Sequence, residues 1–433
     1  MTWKVEDLKE WDDRIIKIAK GYGLDWYPIN YEVCDYYSMI GHMSYHGMPT
    51  HYDHWSYGKS FERTHQSYNA GVEGLPYELI INSSPSIAYL MRENPLYLQV
   101  LIMAHCVGHS DFFKNNRMFK NTRADSVIGR FRAAKKRIQE YVEDPYIGIE
   151  KVEETIDACH ALQYQVLRDG TQRKTHSELV EYYKGLREYD KDGNLILYDL
   201  DEAPLEPDVD IMGFISEHAK MPSWKRDIIE IVRDEAYYFM PQIQTKIMNE
   251  GWASYWHYTI CHDLQLPDEY HIPFLRMHNA VIRPHMGGLN PYHLGFVIFQ
   301  KIKETYGLDE CFVARESIND IAFIRQYLTE EICQELNLFS WSEKKDAYTI
   351  DEISDKEGWK GVRTHMCNSI ADAKLPIIKV EEIMMDGTLV LRHEHDGRDL
   401  ELDYADRTVE KSKSLWGKNV VLHTIIEGDP WEI

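Results

Sequence analysis

Two histidines, His105 and His109, stand four residues apart in the segment MAHCVGHSD. In a helix, side chains at positions i and i+4 lie one turn apart on the same face, and this spacing lets two imidazole nitrogens share one metal ion. The same pair could instead be two core histidines that hydrogen-bond to their neighbours, because both lie on an apolar stripe. The pair alone leaves both interpretations open.

A carboxylate in a later segment, Glu250 of MNEGWAS, lies on the same inward helical face as Ile243 and Ile247. Burying a carboxylate is costly unless it is paired or bound to a metal. Two histidines and one glutamate leave a fourth position for water, as catalytic zinc requires. The sequence therefore predicts a metal site made of His105, His109 and Glu250, with zinc as the expected ion and another divalent metal as the alternative.

The general base of such a site is harder to assign. In the zinc-peptidase pattern His-Glu-x-x-His the base directly follows the first histidine, where this chain has Cys106. A thiol is a poor base, but water on zinc has its pKa lowered to about 7 and needs only modest help. The candidates for catalytic roles are therefore Cys106, Asp111, Glu78 and Glu250 itself.

His257 lies on the same helical face as Glu250 but seven residues further on. At 1.5 Å per residue this is about 10 Å along the helix axis, which is too far for an easy co-ligand. A proton donor, an oxyanion partner and a structural core histidine remain open as its role.

The elements that position these residues can be read from the sequence pattern. The run YELIIN, from Glu78, predicts a short strand that ends in turn residues, and a short helix is expected around Ile87–Met91. Asn94 and Pro95 predict the start of a helix at about 95–113 that carries both histidines. A further helix after Pro241 carries Glu250 and His257.

Two other segments contain histidines. His42, His46, His51 and His54 are interleaved with aromatic residues, and without regular ligand spacing they favour a packed aromatic loop over a second metal site. His285 lies in a turn-rich loop, which is expected to be a connector rather than an active-site lid.

The fold is predicted to be mainly α, in the α+β class. We expect a large helical domain at 1–342 and a small domain at 343–433. The small domain shows a strand (347–351), a helix (357–372), two strands about the turn at Asp386 and Gly387, a helix (403–416) and a strand (419–426). This β-α-β-β-α-β order predicts a ferredoxin-like fold.

Charge and composition exclude several classes of partner. A formal net charge of −23, from 48 basic and 71 acidic residues, repels phosphate backbones, so a nucleic-acid partner is not expected. No stretch approaches the roughly 18 apolar residues of a membrane span, and the N-terminus lacks a signal-peptide core. Seven scattered cysteines without a Cys-x-x-Cys pair fit a reducing compartment, so a cytoplasmic location is predicted.

Five long motifs are similar to those of the SpoVR family, the stage V sporulation protein R-like proteins: YELIIN, MAHCVGHSDFFKNN, MNEGWASYWHYTI, LNPYHLGFVIFQKI and RQYLTEEICQELNLFSW. The resemblance extends from about residue 20 to the C-terminus. The order of a strand, a His-x-x-x-His helix and an Asn-Glu-x-x-Ala helix also resembles gluzincin-type zinc peptidases, in which the later glutamate is the third ligand. The matching residues are His105, His109 and Glu250.

The family resemblance implies a part in forming the spore cortex, a peptidoglycan layer, while similar proteins in non-sporulating bacteria are associated with a serine kinase and stress responses. Together with the metal pattern, it predicts a zinc-dependent hydrolase of a peptide or peptidoglycan-related amide. The alternative is a non-catalytic interaction or scaffold protein, with a protein partner and either a structural metal or a metal-free polar network. A non-haem iron protein is a third alternative, because two histidines and a carboxylate also bind iron.

These alternatives differ in the coordination they require. A catalytic site keeps one position open and lies in a cleft, whereas a structural site is closed by a fourth protein ligand. We expect His257 or a histidine of the 42–54 segment as that ligand if the site is closed.

Overall fold

The structure is a computed structural model. It describes residues 3–69, 78–189, 191–192, 194–196, 198–200, 202–284, 288–344 and 347–433, without the side chains of 341–349 and 351. His285 lies outside the described residues.

Helices predominate in the described part of the chain. The α-helices are α1 (Val5–Gly21), α2 (Tyr36–Ser44), α3 (Trp55–Asn69), α4 (Leu96–Asn115), α5 (Val127–Glu143), α6 (Gly148–Leu162), α7 (His176–Gly185), α8 (Ile211–His218), α9 (Ser223–Gln244), α10 (Lys246–Asp263), α11 (Asp268–Val281), α12 (Pro291–Tyr306), α13 (Leu308–Ser317), α14 (Asp320–Tyr327), α15 (Glu330–Glu335), α16 (Gly358–Ser369) and α17 (Leu402–Trp416). Short 3-10 helices span Arg117–Thr122 and Ala371–Lys374. The strands are β1 (Ile29–Cys34), β2 (Glu78–Ile81), β3 (Ser86–Met91), β4 (Phe339–Lys344), β5 (Ala347–Ile353), β6 (Ile378–Ile383), β7 (Leu389–His393), β8 (Val420–Ile426) and β9 (Asp429–Glu432). The predicted mainly helical α+β class is confirmed.

The chain forms two compact units, each built from two separate stretches. One unit comprises 1–135 and 241–374, and the other comprises 136–240 and 375–433. The division into contiguous domains at 1–342 and 343–433 stays a prediction about independently folding parts of the chain, which limited proteolysis would test.

The first unit is organised around α4, in which every residue from Leu98 to Phe113 is buried. A helix that is buried on all sides is typical of the centre of a large core, because each face must meet another element. The predicted helix at about 95–113 is confirmed. Its histidines are consequently held inside the protein.

Helices α4, α10 and α12 make two close contacts within this core. A Cβ atom on Gly108 of α4 would lie 2.7 Å from Cα of Ala253 in α10, and one on Gly251 of α10 would lie 2.4 Å from the carbonyl carbon of Gly295 in α12. Side chains larger than hydrogen would therefore push the helices apart. The three helices approach one another almost at backbone contact.

A three-stranded sheet with the order β1-β3-β2 belongs to the same unit. Strand β3 pairs in parallel with β1 and antiparallel with β2, so both of its edges are hydrogen-bonded. The predicted strand from Glu78 is confirmed as β2. The predicted helix at Ile87–Met91 is wrong, because this segment is the central strand β3.

The C-terminal region follows the predicted element order but not the predicted sheet. Strands β6, β7, β8 and β9 form one sheet in that order, and α17 connects the parallel neighbours β7 and β8. The first predicted strand, β5, instead pairs antiparallel with β4 in a separate two-stranded sheet. The ferredoxin-like arrangement is therefore not observed, since it needs that strand in the main sheet.

The second unit has its own buried polar centre at Asp210. Its carboxylate caps α8 by accepting the backbone N–H of Gly213 at 2.8 Å, pairs with Arg233 at 2.7 Å and accepts the hydroxyl of Tyr237 at 2.8 Å. A buried carboxylate with three such partners is satisfied. Asp210 therefore has a structural role.

Over the described residues, the structure contains no helix with the length and apolar character needed to cross a membrane.

Candidate metal centre

Four side chains converge inside the first unit. Glu78 begins β2, His105 and His109 come from successive turns of α4, and Glu250 comes from α10. One potential ligand atom of each side chain lies within 4.8 Å of those of the other three. Among the described residues, this is the group of histidines and carboxylates whose spacing suits a metal ion. The structure thus brings together the predicted ligands and adds Glu78 to them.

The closest distances involve the Nε2 atoms of the two imidazoles. Nε2 of His109 lies 3.4 Å from Oε2 of Glu250, and Nε2 of His105 lies 3.9 Å from the same oxygen. Nε2 of His105 is also 3.6 Å from Oε1 of Glu78. The ligand atoms therefore face a common point rather than forming tight pairs.

The two histidines of the group are more deeply buried than the two glutamates. The side chains of His105 and His109 are 2% and 5% exposed, whereas those of Glu78 and Glu250 are 14% and 17% exposed. The imidazoles are thus anchored in the core, whereas the two glutamate side chains keep some exposure. A ligand would reach the group from the carboxylate side.

Hydrogen bonds behind the imidazoles direct their other nitrogens into the group. Nδ1 of His109 lies 2.9 Å from Oδ1 of Asn249, which can only accept, so Nδ1 carries the proton. Nδ1 of His105 is held at 2.8 Å from Nδ1 of His257. Such bonds fix the ring orientation and leave the Nε2 lone pairs for a metal, as in most histidine metal sites.

Two atoms in the group are buried without a hydrogen-bond partner, Nε2 of His105 and Oε2 of Glu250. Unsatisfied buried polar atoms are rare and costly, and a bound ion would satisfy both. Burial alone would raise the pKa of Glu250, but the imidazoles of His105 and His109 outweigh it and lower this pKa. Burial likewise opposes a higher pKa at His109, yet the charge of Glu250 raises it. The donor set fits a divalent cation.

Tyr292 completes the surroundings of the site. It lies in the first turn of α12, where Asn290 caps the helix, and its ring stacks on that of His105 with centroids 6.2 Å apart. Burial, followed by the negative charges and hydrogen bonding of Glu250 and Glu78, raises the pKa of its hydroxyl far above the usual value. A neutral hydroxyl donor therefore lies beside both carboxylates.

Two of the candidate catalytic residues lie outside the group. Cys106 is fully buried in the core around α4, where burial and then the charges of Glu78 and Asp12 raise its pKa. Asp111 is also buried and binds other elements: it accepts the Trp252 indole N–H at 2.8 Å and lies 3.3 Å from the Arg315 guanidinium. Burial raises the pKa of Asp111 to about 6.

The remaining histidine candidates have different surroundings. His257 contacts Nδ1 of His105, whereas it is Nε2 of His105 that lies near the carboxylates. In the 42–54 segment, His42 stacks on Tyr89 at 3.9 Å and His51 contacts the Tyr57 ring at 4.8 Å. These contacts are those of a packed aromatic cluster.

Sequence reasoning missed Tyr292, Asn249 and His278, which contacts His257. The Asn-Pro start of α12 could have predicted that Tyr292 lies in a first helical turn. Nothing in the local pattern shows which helix faces which, so their place around the site could not be predicted.

Comparison with known proteins identifies the family of this chain. The family described as SpoVR like protein matches residues 2–375, and the SpoVR-like C-terminal domain matches residues 376–427. The chain belongs to the SpoVR family, and this membership suggests a sporulation-related role. It is 34% identical over 476 residues to the uncharacterized protein YcgB of Escherichia coli (strain K12), an alignment that covers 97% of this chain and 92% of that protein. No solved structure matches.

Proposed function

We propose that this protein is a zinc-dependent hydrolase that cleaves an amide or peptide bond in spore-cortex peptidoglycan or its precursors. The observation that carries the proposal is the convergence of His105 Nε2, His109 Nε2 and Glu250 Oε2 within one group whose two glutamate side chains keep some exposure. The order of strand and helices resembles that of gluzincin peptidases and supports the same chemistry.

The chain supplies a fitting donor set for the ion. His105, His109 and Glu250 would hold it, with the imidazoles fixed from behind by His257 and Asn249. A bound zinc ion polarises a carbonyl group and lowers the pKa of water, which is the chemistry that amide hydrolysis needs. Another divalent metal of similar coordination would serve the same purpose.

Glu78 is the best-placed general base. The position after the first histidine holds Cys106, whose buried thiol cannot act as one at neutral pH. Oε1 of Glu78 lies 3.6 Å from Nε2 of His105, and the Glu78 side chain is 14% exposed, so its carboxylate is close to the position of the ion and the side chain is not sealed from solvent. A strand residue thus takes the place that the helix glutamate has in the peptidase pattern.

Tyr292 is placed to stabilise developing charge. Its hydroxyl, kept neutral by burial and by Glu250 and Glu78, can donate a hydrogen bond to the oxygen of a substrate carbonyl at this face. Removal of one such donor typically costs about 10²–10³ in kcat.

The closed-site alternative has a specific observation in its favour. Glu78 could be a fourth ligand, since one of its oxygens lies within 4.8 Å of the three others. A four-ligand site would be structural. The protein would then be an interaction or scaffold protein with a protein partner, connected to a stress-response kinase.

The two functions are separated by a Glu78→Gln variant, with Glu93→Gln as the control because Glu93 is exposed. Zinc per chain would be measured by elemental analysis, and the zinc-loaded proteins would be incubated with purified muropeptides. Hydrolysis would appear in mass spectrometry as uptake of one water and a new amine.

If Glu78 is the base, Glu78→Gln keeps about one zinc per chain but loses activity by about 10²–10⁴-fold. Glu93→Gln would behave like the wild-type protein. Loss of zinc in Glu78→Gln, together with an inactive zinc-loaded wild-type protein, would reject the hydrolase and support the closed site.

A further inference from the structure

A chain of three imidazoles leads from the metal centre into the core. Nδ1 of His105 lies 2.8 Å from Nδ1 of His257, and Nε2 of His257 lies 2.7 Å from Nδ1 of His278 in α11. His257 and His278 are 0% and 2% exposed. Both contacts have hydrogen-bond length.

The direction of these bonds follows from the role of His105. If its Nε2 lone pair binds the ion, the proton of the neutral ring must be on Nδ1. Nδ1 of His257 then has to accept, so the His257 proton is on Nε2 and is donated to Nδ1 of His278. One choice at the metal ligand therefore fixes the proton positions of all three rings.

The surroundings hold these rings in place. His278 packs against Tyr258, Phe296 and Phe274, with ring centroids 4.7, 5.0 and 6.2 Å away. An apolar enclosure of this kind offers His257 few other partners for its Nε2 proton. Burial also lowers the pKa of His257 and of His278, which agrees with neutral rings.

We infer that His257 and His278 are positioning residues that orient His105 and keep its Nε2 free for the ion. This inference rests on the proposed metal site. It assigns His257 no contact with substrate and gives a role to His278, which lies one ring further from the ion. Loss of a hydrogen-bond partner behind a metal ligand typically weakens metal binding by about 10–100-fold.

The test compares variants at His278. His278→Phe keeps an aromatic ring but removes the acceptor, whereas His278→Asn has its side-chain oxygen at the position of Nδ1 and keeps the acceptor. Phe274→Leu is the matched control, because it disturbs the packing around His278 and leaves both hydrogen bonds intact. Zinc Kd would be measured with a competing chelator, and the absorption spectrum of the bound cobalt would be recorded for the cobalt-loaded proteins.

We expect zinc Kd to rise about tenfold in His278→Phe, the lower end of the range for such partners, with an altered cobalt spectrum. His278→Asn should stay near the wild-type Kd, and Phe274→Leu should lower Tm without changing Kd. If His278→Phe does not fold, His257→Asn and His257→Phe provide the same contrast one ring closer to the ion.

Equal Kd values in the acceptor-free and acceptor-keeping variants would overturn the inference, as would an equal loss of affinity in Phe274→Leu. A wild-type protein that binds zinc but hydrolyses no muropeptide would reject the proposed activity while leaving this comparison intact. A wild-type protein that binds no zinc would overturn both the site and the positioning role.

Discussion

Glu250→Gln should remove most of the stabilisation that zinc gives to the fold. Oε2 of Glu250 lies within 4 Å of both Nε2 atoms, at 3.4 Å from His109 and 3.9 Å from His105, so it is central to the ligand set. Four-ligand zinc sites bind with about 10–16 kcal/mol, or about 3 kcal/mol per ligand. Loss of this amount weakens zinc binding by about 150-fold.

The loss can be measured as a thermal shift. With free zinc at about 100 times the wild-type Kd, binding stabilises the wild-type protein by about 2.7 kcal/mol. The same zinc concentration stabilises Glu250→Gln by only about 0.3 kcal/mol. At about 2 °C per kcal/mol, the zinc-induced rise in Tm should be about 5 °C in the wild-type protein and below about 1 °C in the variant.

Glu269→Gln is the matched control, since Glu269 is an exposed glutamate at the start of α11. Its zinc-induced shift should equal that of the wild-type protein. Scanning calorimetry with buffered zinc, and with a chelator for the metal-free baseline, gives all the shifts. A full wild-type shift in Glu250→Gln would refute its assignment as a ligand, even if the variant were inactive.

Two further predictions concern packing and protons. Gly251→Ala should destabilise the fold by about 3 kcal/mol or more, because its Cβ would lie 2.4 Å from the backbone of Gly295. Gly41→Ala is the control and should not destabilise the fold in this way, because a Cβ there meets open space. Urea unfolding of both variants measures the difference. Zinc affinity should rise with pH, up to about tenfold per pH unit. Glu250 outweighs the effect of burial and raises the pKa of His109, so zinc binding must release a proton from this imidazole. A Kd that does not change between about pH 6 and 8 in chelator competition would contradict this prediction.

The sequence was sufficient for the ligands that share a helix. The spacing of His105 and His109 fixes their relative position once α4 forms, and α4 was predictable because its start has a Pro signal and its body is apolar. The place of Glu250 followed from the cost of burying a carboxylate on an apolar face. These inferences need only local geometry and the energetics of burial.

The rest depends on contacts between distant parts of the chain. Ile87–Met91 has an ambiguous apolar pattern, and pairing with two strands makes it β3 rather than a helix. Tyr292 reaches the site because Gly295, one turn later, lets α12 touch α10. His278 acquires its position only through α11. No periodicity within these segments encodes such partners.

The glycines beside the ligands show how chemistry and packing use the same short motifs. Gly108 precedes His109, Gly251 follows Glu250, and each lies where two helix backbones meet at a distance that excludes a Cβ atom. A helix shift of about 1 Å at either crossing would move the adjacent ligand by a similar amount, which is enough to disrupt the coordination geometry of a bound metal ion. The tight crossings therefore set the separation of α4 from α10 at the turn that carries His109, and of α10 from α12 at the turn that carries Glu250. This explains why glycine adjoins a ligand in both HCVGH and NEGWA, whether the bound ion acts in catalysis or in holding the helices together.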